Sequence, residues 1–194
     1  NNYLSKVAQM ALEEDLGSGD ITSLLTIPAD SISKAVIVAK AEGVIAGLEL
    51  AKVVFAEVDP DVVFIAKVND GDRVKIGDVV VDITGPTRSI LAGERVALNF
   101  LQRLSGTATM AHKYMELVSG TKAKIVDTRK TTPGLRRLEK YAVTAGGAFN
   151  HRYGLSDGIL IKDNHIAACG GVANAVKAAK DGAAHMMKVE VEVT

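Results

Sequence analysis

The chain of 194 residues has room for one large domain or two modest ones. Lysine plus arginine total 23, as do aspartate plus glutamate, and this zero formal charge excludes a protein that coats polyanions through excess basic charge. One cysteine, Cys169, excludes an internal disulfide framework, and no apolar run approaches the roughly 18–20 residues of a membrane-spanning helix; the expected compartment is the cytoplasm.

Leu4, Val7, Ala8, Ala11 and Leu12 recur at helical spacing, predicting a helix over 3–16 that Gly17 ends, with Gly17-Ser18-Gly19-Asp20 as a loop. Ala35-Val36-Ile37-Val38-Ala39 predicts a buried strand, followed by a turn at Glu42-Gly43 and a short strand over 44–46. A helix is expected over 48–58, then β-like runs over 62–68, 74–76 and 79–83. Gly85-Pro86-Thr87 breaks that pattern and introduces a long helical stretch over 90–118, with a bend at Ser105-Gly106.

After Gly120 the rhythm changes. Strands are expected at 125–127, 158–162 and 186–193, with helices over 135–145 and 172–180 between them. Alternation of this kind implies parallel strands with crossover helices, a β/α barrel or an open α/β sheet. The chain begins at Asn1 and stops at Thr194, directly after an alternating apolar and charged run, as expected of the N-terminal portion of a longer chain.

Charge collects between Asp127 and His165. Seven cations (Arg129, Lys130, Arg136, Arg137, Lys140, Arg152 and Lys162) face four acids (Asp127, Glu139, Asp157 and Asp163), with His151 and His165 added. A neutral chain that gathers cations in one set of α/β loops is expected to bind an anion there. Ligands sit at the C-terminal ends of parallel strands, where Arg129, Lys130 and Lys162 fall. Glu190 and Glu192 share one face of the last strand, and inside a barrel their charges would require nearby cations or a metal.

Plainer readings stand beside these. Arg136, Arg137 and Lys140 lie on a helix with Glu139, and for most of them surface exposure is expected. Glu190 and Glu192 read equally as the polar face of an edge strand. His165 and Cys169 have metal-compatible spacing, but on a helix that Gly170-Gly171 shortens. Aromatic content of 4% and zero net charge speak against nucleic-acid binding.

The run from Asp127-Thr128-Arg129-Lys130-Thr131-Thr132-Pro133-Gly134-Leu135-Arg136 to Glu139-Lys140-Tyr141-Ala142-Val143 is followed by three further motifs. These are Gly146-Gly147, Asn150-His151-Arg152 and Ile161-Lys162-Asp163-Asn164-His165. Together with Glu14 to Thr22 and Gly93 to Gly106, this ordered series closely resembles the quinolinate phosphoribosyltransferase family (nicotinate-nucleotide pyrophosphorylase, carboxylating), from about residue 12 to residue 193.

The resemblance implies an α/β protein: an α+β N-terminal sandwich domain with its connecting helix over 1-110, and the first part of an incomplete β/α barrel over 111-194, truncated at the C-terminus. It implies phosphoribosyl transfer from 5-phosphoribosyl 1-pyrophosphate to quinolinate with Mg2+, giving nicotinate mononucleotide, pyrophosphate and CO2. Arg129, His151, Arg152 and Lys162 would hold the two quinolinate carboxylates, with Thr128 also at the substrate. Lys130 would contact phosphate, and Lys130 and Lys162 would serve catalysis. Arg95 would be lent to the neighbouring subunit of a homodimer. Glu192, with Glu190 in reserve, would face the ribose or the water shell of the metal.

Because the family's barrel continues past position 194, these 194 residues alone are not expected to turn over substrate. Two alternatives are a same-fold relative of the molybdenum-transport-associated type and a biotinyl/lipoyl-like carrier module, the latter suggested by residues 68–80. The carrier would need a lysine at an exposed hairpin tip, and this region has no such turn.

Overall fold

A computed structural model describes residues 2–193, which divide into two compact units. The first holds the residues up to Asp127 and Thr132–Phe149; the second holds Thr128–Thr131 and the chain from Asn150 onward. The mixture of helices and strands places the protein in the α/β class.

In the first unit α1 (Asn2–Leu16) buries Ala8 and Leu12, and Gly17 ends it with a positive φ of 50°. A short helix follows that periodicity did not show, α2 (Ile21–Thr26). Its cap is Asp20, which accepts both the hydroxyl and, at 3.0 Å, the backbone N–H of Ser23. Those two bonds hold the Asp20 carboxyl below its ordinary pKa.

β1 (Ile32–Val38) and β2 (Gly43–Val44) lead into α3 (Leu48–Val58), whose bounds match the expected helix. β3 (Val63–Ala66), β4 (Arg73–Val74) and β5 (Val79–Pro86) then complete one antiparallel sheet of order β1-β5-β3 and one β2-β4 pair. β1 is not the buried strand its apolar run suggested. Its burial alternates, and Val36 is 57% exposed. Nor does Gly85-Pro86 break the pattern. Pro86 pairs with Ile32 at the last position of β5, where a missing N–H costs no interior ladder bond.

α4 (Thr87–Leu117) is helical throughout, Ser105-Gly106 included. Ser105 and Thr109, one turn apart, accept the backbone N–H groups of Ala46 (3.0 Å) and Val44 (2.9 Å), fastening this helix to the β2 segment. The core between α3, α4 and the sheet contains Phe55, Leu50, Leu104, Val54 and Val81, each essentially inaccessible.

Residues 125–127 make one parallel bridge, Val126 to Phe149, rather than a longer strand. It is flanked by hydrogen bonds of 3.0 Å from Phe149 N–H to Ile125 and from Asp127 N–H to Phe149. α5 (Arg136–Ala145) packs on α4, and Gly146 ends it so close to α4 that an added Cβ would lie 2.2 Å from the Ala108 carbonyl oxygen. Gly146→Ala is therefore expected to destabilise the fold by about 1–3 kcal/mol through overpacking, measurable as a lower urea midpoint.

The second unit contains β6 (Ile159–Ile161), α6 (Asp163–Ala168), α7 (Val172–Gly182) and β7 (Val189–Val191). β6 and β7 are parallel, with Leu160 opposite Glu190, and the intervening helices make the crossover that parallel strands require. Among the described residues no helix is long and apolar enough to cross a membrane.

Candidate functional site

Eight of the nine expected site residues lie in the second unit. Parallel pairing extends one residue past β7, since Glu192 N–H donates to the Ile161 carbonyl at 2.9 Å. Glu190 and Glu192 therefore keep the two-residue period that sends side chains to one face. Each carboxylate meets a basic side chain there. Lys162, the first residue after β6, donates to Glu192 Oε2 at 2.7 Å. His151 Nε2 lies 3.0 Å from Glu190 Oε2.

Both pairs are open to solvent on the acid side, with the glutamate side chains 61% and 58% exposed. An ion pair as open as that of Lys162 with Glu192 contributes about 0–1 kcal/mol, so an incoming anion can take over the lysine at small cost. At the C-terminal end of the strands Glu192 is thus ion-paired with Lys162, and Glu190 lies within hydrogen-bond distance of the His151 ring.

Arg152 donates Nη1 to the Gly158 carbonyl at 2.9 Å, which lays its side chain along the loop between them. Asp157 shapes that loop by accepting the N–H groups of Tyr153 (2.6 Å) and Gly154 (2.7 Å). Thr128, Arg129 and Lys130 are exposed, and the turn they form is closed by Lys130 N–H to Thr128 Oγ1 and Thr131 N–H to the Arg129 carbonyl, each 3.0 Å. Arg95 is exposed on α4, in the first unit.

His165 serves the backbone, since its Nδ1 accepts the Lys162 N–H at 3.0 Å and so helps cap α6. Among the described residues no group of three or more His, Cys, Asp or Glu side chains could hold a metal ion.

Two contacts escaped sequence reasoning. Lys140 is not on the surface; it is 3% exposed and donates to Asp127 Oδ1 at 2.5 Å, the aspartate itself being 8% exposed. Its neighbour Glu139 accepts the Thr132 N–H at 3.0 Å and Arg103 Nη2 at 2.6 Å, while Arg103 also donates to the Thr132 hydroxyl. Burial alone would raise the Glu139 carboxyl, but the bonds from Arg103 and Thr132 outweigh it and hold the group below its ordinary range. Local sequence held no signal for Lys140, which lies two residues from Leu138 and so on another face of α5.

The family model for the quinolinate phosphoribosyl transferase N-terminal domain matches residues 20–105, and that for its C-terminal domain matches 107–194. A probable nicotinate-nucleotide pyrophosphorylase [carboxylating] of Bacillus subtilis (strain 168) is 50% identical over 190 residues, 98% of this chain and 65% of the relative. A quinolinate phosphoribosyltransferase [decarboxylating] of Nicotiana tabacum is 48% identical over 174 residues, 89% of this chain and 49% of the relative. The crystal structure of NadC from Streptococcus pyogenes superimposes with a TM-score of 0.93 at 46% identity, covering 97% of this chain and 67% of that one. The chain spans about half to two thirds of the length of these relatives.

Proposed function

The chain belongs to the quinolinate phosphoribosyltransferase family, and from that premise we propose that its second unit binds quinolinate for phosphoribosyl transfer from 5-phosphoribosyl 1-pyrophosphate. The observation that carries the reading is the pairing of Lys162 with Glu192 and of His151 with Glu190 at one strand end.

Quinolinate bears two adjacent carboxylates. Arg129 and Arg152 offer planar forks that match a carboxylate in a way ammonium cannot, while Lys162 adds positive charge and His151 a ring nitrogen for a hydrogen bond. A ligand carboxylate takes over Lys162 from Glu192 and releases that glutamate toward the ribose. There it stabilises the oxocarbenium-like charge that builds as the bond from the anomeric carbon to pyrophosphate breaks. Glu190 is the reserve for this role. Lys130 offsets charge on the phosphate groups, and Thr128 shapes the turn that presents both cations. The ring nitrogen, held in line, forms the new bond to the anomeric carbon. Once quaternised, it accepts the electron pair as the neighbouring carboxylate leaves as CO2, and a proton takes the vacated carbon.

Mg2+ suits this set as an ion that arrives on the substrate phosphates and keeps much of its water. Only one oxygen of the exposed Glu192 carboxylate engages Lys162, which suits contact with that water shell. When bound, the ion neutralises charge on the departing pyrophosphate. The exposed Arg95 fits donation to the site of a partner subunit in a homodimer, and the cytoplasm fits the one unpaired cysteine.

Thermal denaturation of the intact protein tests this. Quinolinate is expected to raise the melting temperature, by a stabilisation of about 2.7 kcal/mol at a hundredfold excess over Kd. Nicotinate, with one carboxylate fewer, is expected to do little. Equal shifts with both ligands, or none with quinolinate, would reject the reading.

A further inference from the structure

The chain leaves the first unit after Asp127, places Thr128–Thr131 in the second, and returns at Thr132. Both points of passage are held by consecutive residues of one helix. Lys140 of α5 binds Asp127, and Glu139 binds the backbone N–H of Thr132. Arg103, from α4, braces the second hold by donating to Glu139 and to the Thr132 hydroxyl. The segment between the holds carries Arg129 and Lys130.

We propose that Glu139 and Lys140 are positioning residues: together they fix both ends of the Arg129-Lys130 segment and thereby set the affinity for the dicarboxylate, an inference that rests on the substrate reading above.

Three physical points support it. A buried ion pair gains little stability over a well-packed apolar pair, so what Lys140 and Asp127 add is direction, the property a loop anchor needs. Glu139 satisfies a backbone donor rather than only another side chain, so its bond restrains the main chain itself. Adjacent residues on a rigid helix fix the spacing of the two holds, whereas anchors on separate loops would let it vary. Neither residue has to touch substrate for its loss to be felt, because small displacements of a charged fork weaken bidentate contacts strongly.

The experiment compares wild type, Glu139→Ala and Glu139→Gln in the intact protein by amide hydrogen exchange and by calorimetric titration with quinolinate. In Glu139→Ala, exchange of the amides at 128–132 is expected to quicken about tenfold, the loss of one bond to a charged acceptor. α1 and α3 should remain as protected as in wild type. Quinolinate Kd is expected to rise about tenfold as well. Glu139→Gln keeps an acceptor for the Thr132 N–H and should recover most of both changes, which loss of general stability would not reproduce.

Unchanged exchange at 128–132 in the alanine variant overturns the proposal, and so does acceleration spread equally over all helices. Faster local exchange with unaltered quinolinate affinity overturns its functional half. If wild type itself does not bind quinolinate, the substrate reading fails, and the exchange data alone decide whether the two holds restrain the segment.

Discussion

Lys140→Met is expected to destabilise the protein by about 3–5 kcal/mol, because it leaves the Asp127 carboxylate buried without its cation. The two side chains are 3% and 8% exposed, so water cannot take over the lost bond without opening the packing between α5 and residues 125–127. The size of the effect comes from taking the cation away from a buried carboxylate and not from the worth of the pair. Asp127→Leu combined with Lys140→Met should therefore regain most of the loss, since both charges leave together. Urea unfolding of the two single variants and the double variant measures the coupling directly. A loss below about 1 kcal/mol in Lys140→Met, the range of an exposed pair, would show the pair to be solvated.

Arg129→Ala is the second large effect. It is expected to weaken quinolinate binding by about 2–5 kcal/mol, the range for truncating one partner of a desolvated charge pair, or about 30- to 4,000-fold in Kd. Calorimetric titration checks it, with Arg129→Lys as companion. Lysine keeps the charge but loses the fork, so it should recover only part of the affinity. Unaltered affinity in the alanine variant would remove Arg129 from the site.

Elements whose signal is local were legible in the sequence. α3 carries an uninterrupted helical stripe from Leu48 to Val58, and both ends were found. β6 was located by its apolar run and β7 by alternation of apolar and charged residues over 186–193, of which three residues form the strand. Lys162, expected to close β6, meets Glu192, expected on the face of the last strand.

What failed depended on distant residues. The run Ala35 to Ala39 looks buried because it is apolar, but only one face of a strand is covered when a single layer packs on its sheet. Lys140 looked solvated because α5 is rich in charge, yet it lies roughly 200° around the helix from Leu138, on the side where Asp127 waits thirteen residues earlier in the chain. α2, at six residues, is too short for periodicity to show. The preference of aspartate for helix caps was a signal for it that reading Gly17 to Asp20 as a loop did not use.

The return of the chain to the first unit at Thr132 has a consequence for the order in which the protein assembles. Domains form as units during synthesis, N-terminal portions first. The first unit is complete in sequence at Phe149, ahead of His151, Arg152, Lys162 and both glutamates. Its folding draws Asp127 and Thr132 toward one helix, so closure of the short intervening loop is accomplished before those later residues leave the ribosome. Nascent chains ending shortly after Phe149 should already hold the guanidinium and ammonium of Arg129 and Lys130 on a closed turn, a template onto which the later strands condense.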